Sequence, residues 1–263
     1  MLIFLKLGGS LITDKTREAA FLPDRMARLA AEIGAARAAR PDLRLLIGHG
    51  SGSFGHFAAR RHQTVAGVRT PEQWQGFAEV ARVAARLNRL VTEALAEAGL
   101  PVWSIQPSAS AYCVDGELQH LEARPVQAAL ERGLVPLLYG DVALDAVRGG
   151  TIISTEQIFL YLVPVLRPDH VVLLGEASGV LDGRGGLIRR ITPARLPDIE
   201  QALGGSHGVD VTGGMETKVR DMARLVEAFP DLTVHILSAL EPGVVRQSLL
   251  DPDSAPGTVI AAN

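Results

Sequence analysis

Hydrophobic and polar positions follow two distinct patterns that alternate along the chain. Short, almost wholly apolar segments rich in Leu, Ile and Val are separated by longer segments whose apolar residues recur every three or four positions. The first pattern is typical of strands buried on both faces, and the second of amphipathic helices that cover a sheet. Strands are therefore predicted over residues 2–7, 43–47, 102–105, 135–139, 171–174 and 234–237.

The longer segments predict helices whose ends carry ordinary start and stop signals. Asp24 and Pro71 stand at plausible helix starts, and Gly99 followed by Pro101 ends the long alanine-rich segment. The alternation of strand and helix predicts an α/β fold, a three-layer αβα sandwich with a mainly parallel central sheet. Helices are predicted over residues 23–40, 70–98, 126–132, 156–165 and 216–228.

The chain is predicted to form one domain over residues 1–263. It contains no repeat and no low-complexity linker. A change of character at Arg167-Pro168-Asp169 suggests two lobes of one continuous sheet, an acceptor-binding lobe over about 1–166 and a nucleotide-binding lobe over about 167–263.

Composition narrows the class of partner. The chain is 47% hydrophobic with a net charge of −3 and dispersed Lys and Arg residues, so a small molecule is a more plausible partner than nucleic acid or a membrane. Cys113 is the only cysteine, which excludes an intrachain disulfide and a multi-cysteine zinc site and fits a reducing cytoplasm. The apolar start before Lys6 is too short for a signal-peptide core or a membrane span.

A glycine-rich loop follows the second predicted strand. Glycines at 48, 50, 52 and 55 allow the backbone to approach an anion, and a following helix N-terminus favours phosphate. Residues 50–55 also match G-x-G-x-x-G, the pattern of dinucleotide-binding oxidoreductases. That reading requires an acidic residue about 20 positions later, at the end of a second strand. Residues 69–74 instead predict the start of a helix, so the acidic residue that would bind the ribose is not found at a strand end. The loop is therefore interpreted as a phosphate-binding loop and not as a dinucleotide-binding one.

Two further glycine turns carry lysines. The first is Lys6-Leu7-Gly8-Gly9-Ser10, at the end of the first predicted strand, and the second is residues 212–218, which end in Lys218 at a predicted helix start. A lysine beside one glycine turn is usually an ordinary strand end. The glycine-rich loop and these two turns together indicate a site for two phosphate-bearing molecules, a donor and an acceptor.

These motifs resemble the amino acid kinase superfamily and, within it, the isopentenyl phosphate kinases. The resemblance rests on Lys-x-Gly-Gly-Ser at residue 6, His-Gly-x-Gly-x-Phe-Gly-His ending at His56, and Asp-Val-Thr-Gly-Gly-Met-x-x-Lys ending at Lys218. It implies an amino acid kinase-like fold and transfer of the γ-phosphoryl group of ATP to isopentenyl phosphate, giving isopentenyl diphosphate and ADP. It also implies Mg²⁺ bridging nucleotide oxygens without protein metal ligands, and a homodimer.

The resemblance also implies roles for individual residues. For Glu156 two roles stay open: it orients the lysines, or it only begins a helix. Lysines and a histidine suit a reaction between two anions, which depends mainly on positioning and charge neutralisation. The catalytic residues implied are Lys6, Lys15, His56 and Lys218. The nucleotide is assigned to Lys6, Gly8, Gly9, Ser10, Gly52, Glu176, Gly213, Gly214 and Lys218. The acceptor is assigned to Ser51, Gly55, His56, Phe77, Val80, Val83, Ile152 and Ile153.

Two alternatives stay open on the sequence. The first is a kinase for another small phosphate or phosphonate, such as fosfomycin, because related kinases share the histidine of the second loop. The second is a non-catalytic nucleotide-binding regulator on the same fold. The presence of Lys6, Lys15, His56 and Lys218 together argues against the regulator, since a sensor of ATP has no use for acceptor-side residues.

Overall fold

The chain folds around two sheets in a computed structural model that describes residues 1–197, 199 and 214–262. The sequence-predicted site residue Gly213 lies outside the described residues. The described strands are β1 (Leu2–Leu7), β2 (Arg44–His49), β3 (Val102–Ser104), β4 (Tyr112–Val114), β5 (Glu117–His120), β6 (Val135–Tyr139), β7 (Asp141–Asp145), β8 (Gly149–Ile153), β9 (His170–Gly175), β10 (Arg190–Ile191), β11 (Thr233–Ser238) and β12 (Thr258–Ile260).

Eight strands form the large sheet, in the order β10-β12-β11-β9-β1-β2-β6-β3. Neighbouring strands are parallel except for β11 and β12. The described helices are α1 (Gly9–Ile12), α2 (Pro23–Ala39), α3 (Gly52–His62), α4 (Pro71–Glu97), α5 (Arg124–Glu131), α6 (Thr155–Leu166), α7 (Met215–Ala228) and α8 (Val244–Leu250).

Hydrophobic cores on both faces of the large sheet confirm the predicted three-layer αβα sandwich. Alternate side chains of β1 enter different cores, Leu5 on one face and Phe4 on the other, as the pleat of a strand requires. The core around Leu5 includes residues of α2, α4 and α8, and the core around Phe4 includes residues of α5, α6 and α7. Both faces of the sheet are therefore covered by helices.

Local signals set the ends of the long helix α4. The side chain of Thr70 accepts a hydrogen bond from the backbone N–H of Gln73 (3.3 Å), and the side chain of Gln73 accepts one from the backbone N–H of Thr70 (3.1 Å). This reciprocal capping satisfies backbone donors that a helix start leaves unpaired. The helix ends just before Gly99, whose φ of +80° suits glycine. The predicted helix over 70–98 is confirmed within one residue at each end.

The four-stranded sheet, in the order β5-β4-β7-β8, was missed by the sequence analysis. Its strands are three to five residues long. Tyr112 and Leu144 are exposed on it, so its strands lack the continuous apolar runs that identified the large sheet. Strand β7 packs against α4, which places this sheet beside the glycine-rich loop.

The proposed boundary between two lobes falls between α6 and β9. Arg167 ends α6 in a left-handed conformation (φ 49°), and Pro168 follows. Strand β9 then pairs with β1 over five residues, so the large sheet runs through the boundary. The division into two lobes stays a prediction. No helix in the described part of the chain combines the length and apolar character needed to cross a membrane.

Candidate active site

Hydrogen bonds between neighbouring strand ends bring several glycine turns to one edge of the large sheet. The backbone N–H of Gly8 donates to the carbonyl of Leu174 (2.8 Å), and that of Gly50 donates to the carbonyl of Leu7 (3.1 Å). The N–H of Gly140 donates to the carbonyl of His49 (3.1 Å). The carboxyl ends of β9, β1, β2 and β6 therefore meet, and such an edge is where ligands of parallel sheets bind.

The glycine turn after Lys6 and the glycine-rich loop over residues 48–55 are in direct contact. A Cβ on Gly9 would lie 2.6 Å from the backbone nitrogen of Gly52, closer than real Cβ atoms approach other atoms. Gly52 itself has a φ of +50°, which favours glycine. The hydroxyl of Thr13 locks the contact, because it donates to the carbonyl of Gly9 (2.7 Å) and accepts from the N–H of Ser53 (2.9 Å). Two motifs about 40 residues apart thus form one backbone surface.

Replacing Gly9 with Ala is expected to push these two turns apart. The added methyl group overlaps the backbone of Gly52, and such overpacking typically costs about 1–3 kcal/mol of stability. We expect ATP affinity to fall at least tenfold, measured by calorimetric titration. Gly175→Ala is the matched control, because the nearest atom to its Cβ would lie 4.0 Å away. Equal ATP affinities in the two variants would contradict a shared phosphate surface.

A carboxylate joins the two predicted phosphate-binding lysines. Lys6 is a buried residue of β1 and forms an ion pair with Glu156, the second residue of α6. The Nζ atom of Lys218, in the first turn of α7, lies 3.7 Å from Oε1 of the same carboxylate. Glu156 thus lies in the first turn of a helix and also pairs with both lysines.

The first turn of α6 fixes the position of Glu156. The hydroxyl of Thr155 donates to the carbonyl of His49 (2.6 Å), which ties the helix start to the end of β2. Ser154 caps the helix through its hydroxyl, which accepts from the N–H of Gln157 (3.1 Å). A carboxylate at a helix N-terminus is also favoured by the helix dipole.

The electrostatics of this cluster keep Glu156 ionised. Burial favours the neutral carboxyl, but the charges of Lys6 and Lys218 and the hydrogen bond from Lys6 outweigh it and lower the pKa of Glu156 from 4.5 to about 2. Among the described residues, the cluster thus combines two lysines with one ionised carboxylate at the edge where phosphates are expected.

The start of α3 supplies a second candidate anion site. Ser51 precedes the helix with helical backbone angles (φ −71°, ψ −9°), and its own side chain makes no capping hydrogen bond, while the hydroxyl of Thr13 accepts from the N–H of Ser53 in the first turn. Gly55 packs directly on the side chain of Ser51. His56 is half-buried, one turn after Gly52 and on the same side of the helix. The helix start therefore presents backbone N–H groups and an imidazole close together.

Lys15 lies in an exposed loop beside α3. The carboxylate of Asp14 accepts from the N–H (2.9 Å) and the hydroxyl (2.6 Å) of Thr16, and these bonds help to lower the pKa of Asp14 to about 2. Two hydrogen bonds from Arg61 of α3 to Glu18 (2.7 and 2.8 Å) hold the loop against the helix. Lys15 is exposed to solvent, unlike Lys6.

Four other predicted nucleotide residues, Gly8, Ser10, Glu176 and Gly214, are in the described part of the chain and lie next to these strand ends and helix starts. A Cβ on Gly8 would meet the carbonyl of Leu174 at 2.8 Å, and Ser10 is half-buried in α1. Gly214 immediately precedes α7. Glu176, which follows β9, is exposed and pairs with Arg25 of α2 at 3.1 Å. The sequence analysis missed Arg25, because its partner lies 151 residues away and no motif links the two.

Four of the predicted apolar acceptor residues lie in a small third cluster, and one of them, Val83, also packs against the main core around Leu5. Phe77, Val80 and Val83 of α4 pack with Ile152 of β8 and with Ala58 of α3. The cluster therefore lies beside the helix that carries His56.

Ile153 lies elsewhere. It is fully buried in a main core with Phe159, because successive side chains of a strand point to opposite faces. The structure therefore places Ile152, and not Ile153, in the apolar cluster beside α3.

His49 is a buried structural residue, as its position at a strand end suggests. Its Nε2 lies 3.2 Å from Oδ1 of Asn88, and its Nδ1 lies 3.0 Å from the carbonyl oxygen of Gly50. Burial lowers its pKa, and its ring stacks on Tyr139 at a centroid distance of 5.6 Å. His49 therefore stabilises the start of the glycine-rich loop through buried side-chain contacts.

Comparisons with known proteins agree with this geometry. The amino acid kinase family matches residues 1–238. The chain is 34% identical to the isopentenyl phosphate kinase of Methanothermobacter thermautotrophicus, over 95% of each chain, and 36% identical to that of Haloferax volcanii, over 85% of this chain and 88% of that one. A solved structure described as isopentenyl phosphate kinase is 31% identical, with a TM-score of 0.83 over 99% of this chain and 100% of that one. The chain belongs to the amino acid kinase family.

Proposed function

We propose that this protein transfers the γ-phosphoryl group of ATP to isopentenyl phosphate, giving isopentenyl diphosphate and ADP. The observation that carries the proposal is the Lys6–Glu156–Lys218 cluster at the edge where the glycine turns meet. The names of the similar proteins support the choice of acceptor. The apolar cluster beside His56 suits a small hydrocarbon tail.

The reaction requires two anionic groups to approach in line. An oxygen of the acceptor phosphate forms a bond to the γ-phosphorus of ATP, and the bond from that phosphorus to the β,γ-bridging oxygen breaks, which leaves ADP. Lys6 and Lys218 neutralise charge on the donor side, and Lys15 is proposed to reach the transferred group from its loop. His56 and the N–H groups at the start of α3 hold the acceptor phosphate.

Magnesium is proposed to enter as part of the Mg-ATP substrate. Among the described residues at the site, Glu156 pairs with two lysines and Glu176 pairs with Arg25. Neither carboxylate is therefore unpaired, and Mg²⁺ is usually bound by substrate phosphates, water and one or two carboxylates rather than by a protein-only cage. The nucleotide phosphates are therefore the expected ligands of the ion.

The direct test is ADP release by the purified protein with Mg-ATP and a panel of acceptors. The panel comprises isopentenyl phosphate, dimethylallyl phosphate, fosfomycin, acetylglutamate and UMP. Selective turnover of the two prenyl phosphates is expected. Turnover of fosfomycin alone would identify a phosphonate kinase, and ATP binding without transfer to any acceptor would favour the regulator.

Replacing His56 with Ala is expected to lower kcat/KM for isopentenyl phosphate by about 10–100-fold, because a hydrogen bond to a charged group is worth about 1.5–3 kcal/mol. ATP affinity should stay within twofold. His62→Ala is the control, since His62 lies at the far end of the same helix and pairs with Glu79 at 2.8 Å. An equal loss of ATP affinity in His56→Ala would contradict an acceptor-side role.

Replacing Phe77 with Ala is expected to raise KM for isopentenyl phosphate roughly tenfold, because lost apolar contact in a pocket costs about 1–3 kcal/mol. KM for ATP should not change. The matched control is Trp74→Ala on the same helix. The ring centroid of Trp74 lies 5.3 Å from that of Phe77, but Trp74 is exposed. If the control raises the acceptor KM as much as Phe77→Ala does, the cluster is not the tail pocket.

We also infer a homodimer in the cytoplasm, from the family resemblance and the single buried cysteine. The mass in solution, measured by light scattering, is expected to be twice that of the 28.0 kDa chain. A monomer that retains full activity would remove the homodimer from the proposal.

A further inference from the structure

Two histidines and an aspartate converge far from the proposed active site. His170 opens β9, His235 lies in β11, and Asp253 lies in a short turn after α8. One potential ligand atom from each lies within 4.8 Å of the other two. In the described part of the chain, this is the single group of three or more His, Cys, Asp or Glu side chains with such spacing.

We propose that His170, His235 and Asp253 form a binding site for a divalent transition-metal ion of the zinc class. Two imidazole nitrogens and one carboxylate oxygen, with a fourth position left for water, are a ligand set that zinc accepts. Magnesium and calcium prefer oxygen ligands and do not fit two imidazoles.

The distance between the two rings fits this assignment. Nδ1 of His170 lies 3.2 Å from Nε2 of His235. Two nitrogens bound to one tetrahedral zinc ion lie about 3.3 Å apart, since each zinc–nitrogen bond is about 2.0–2.1 Å. A carboxylate oxygen of Asp253 lies within 4.8 Å of a ring nitrogen of each histidine, and its side chain is exposed.

The burial of His235 supports the same conclusion. The residue is 1% exposed, and its Nδ1 has no hydrogen-bond partner among the described residues. Its other nitrogen faces His170. Nδ1 is not the nitrogen assigned to the ion, so the support comes from Nε2, which the fold holds, buried, at zinc-ligand spacing from Nδ1 of His170.

The site would connect three separate parts of the C-terminal half. His170 lies at the amino end of β9, about 17 Å from Gly175 at the carboxyl end, by the usual rise of a strand. An ion there would hold the turn of Asp253 against β9 and β11. Its predicted role is stabilisation, separate from phosphoryl transfer.

The test is zinc titration of chelator-treated, full-length protein, with a chromophoric chelator as competitor. We expect one zinc ion per chain, loss of that binding in His170→Gln, and at least tenfold weaker binding in Asp253→Asn. His120→Gln is the control, since His120 is exposed on β5. Cobalt should give the visible absorption of a four-coordinate site in the wild type but not in His170→Gln.

Stability provides a second readout. Zinc is expected to raise the melting temperature of the wild type by about 2–4 °C and to leave His170→Gln unchanged. Asp253→Asn keeps the test decisive if His170→Gln folds poorly, because Asp253 is exposed. Zinc binding of equal strength in the wild type and both variants, or no one-to-one binding in the wild type, would overturn the proposal.

Discussion

Replacing Lys6 with Met is expected to lower turnover of isopentenyl phosphate by about 10²–10³-fold, the usual cost of removing one charge-stabilising donor from a transition state. Methionine keeps most of the length and volume of the side chain, so the change removes mainly the charge. Lys6 is buried at the end of β1 and its partner Glu156 is fixed by α6, so the ammonium group is held in one place at the edge of the sheet.

The control for Lys6→Met is Arg17→Met, which removes a cation from the neighbouring exposed loop. Steady-state rates of ADP release measure both variants, and calorimetric titration gives their ATP affinities. ATP binding should weaken far less than turnover does in Lys6→Met, because the transition state carries the charge that Lys6 neutralises. Unchanged turnover would remove Lys6 from the mechanism.

The large sheet could be predicted because burial on both faces leaves a clear signal. Strand β1 is predicted at its observed bounds, since six consecutive residues are buried. The small sheet could not be predicted, because Leu144 and Tyr112 face solvent and its strands are short. Pairing of such strands depends on packing against α4, which is a tertiary contact without a local pattern.

The individual glycine turns of the site were visible in the sequence, but their mutual contacts were not. The glycine turns predict phosphate loops when they are taken together, although the Lys6 turn alone is typical of an ordinary strand end. The contact between Gly9 and Gly52 and the bridge through Glu156 depend on strand order. Lys6 and Glu156 are 150 residues apart, and no local pattern selects that pair among the many acidic residues of the chain.

The distribution of lysine along the chain also points to the site. The chain contains only three lysines, Lys6, Lys15 and Lys218, while all its other basic residues apart from histidine are arginines. Arginine thus forms ion pairs elsewhere on the molecule, such as those of Arg61 with Glu18 and Arg28 with Glu32. Lysine, a compact charge that approaches one phosphate oxygen at a time, is confined to positions that the family motifs assign to phosphoryl transfer.

Replacing Glu156 with Gln is expected to lower turnover by about tenfold to a hundredfold while largely preserving the fold. Two ammonium groups would then face each other without the carboxylate that holds them, and Lys6 and Lys218 would lose their alignment. Glu156→Asp keeps the charge and should recover much of the rate. ADP release measures all three proteins, and a Gln variant as fast as the wild type would contradict the positioning role.

The same substitution has a pH signature that separates charge from packing. The folded-state pKa of Glu156, about 2, lies below its ordinary value of 4.5, so the ionised carboxylate stabilises the fold above about pH 4.5. That stabilisation is on the order of 3 kcal/mol at pH 7, and it is lost as the pH falls from 4.5 towards 2. The difference in unfolding free energy between wild type and Glu156→Gln, measured with urea, should therefore shrink as the pH is lowered. A difference that does not depend on pH would mean that Glu156 acts through packing alone.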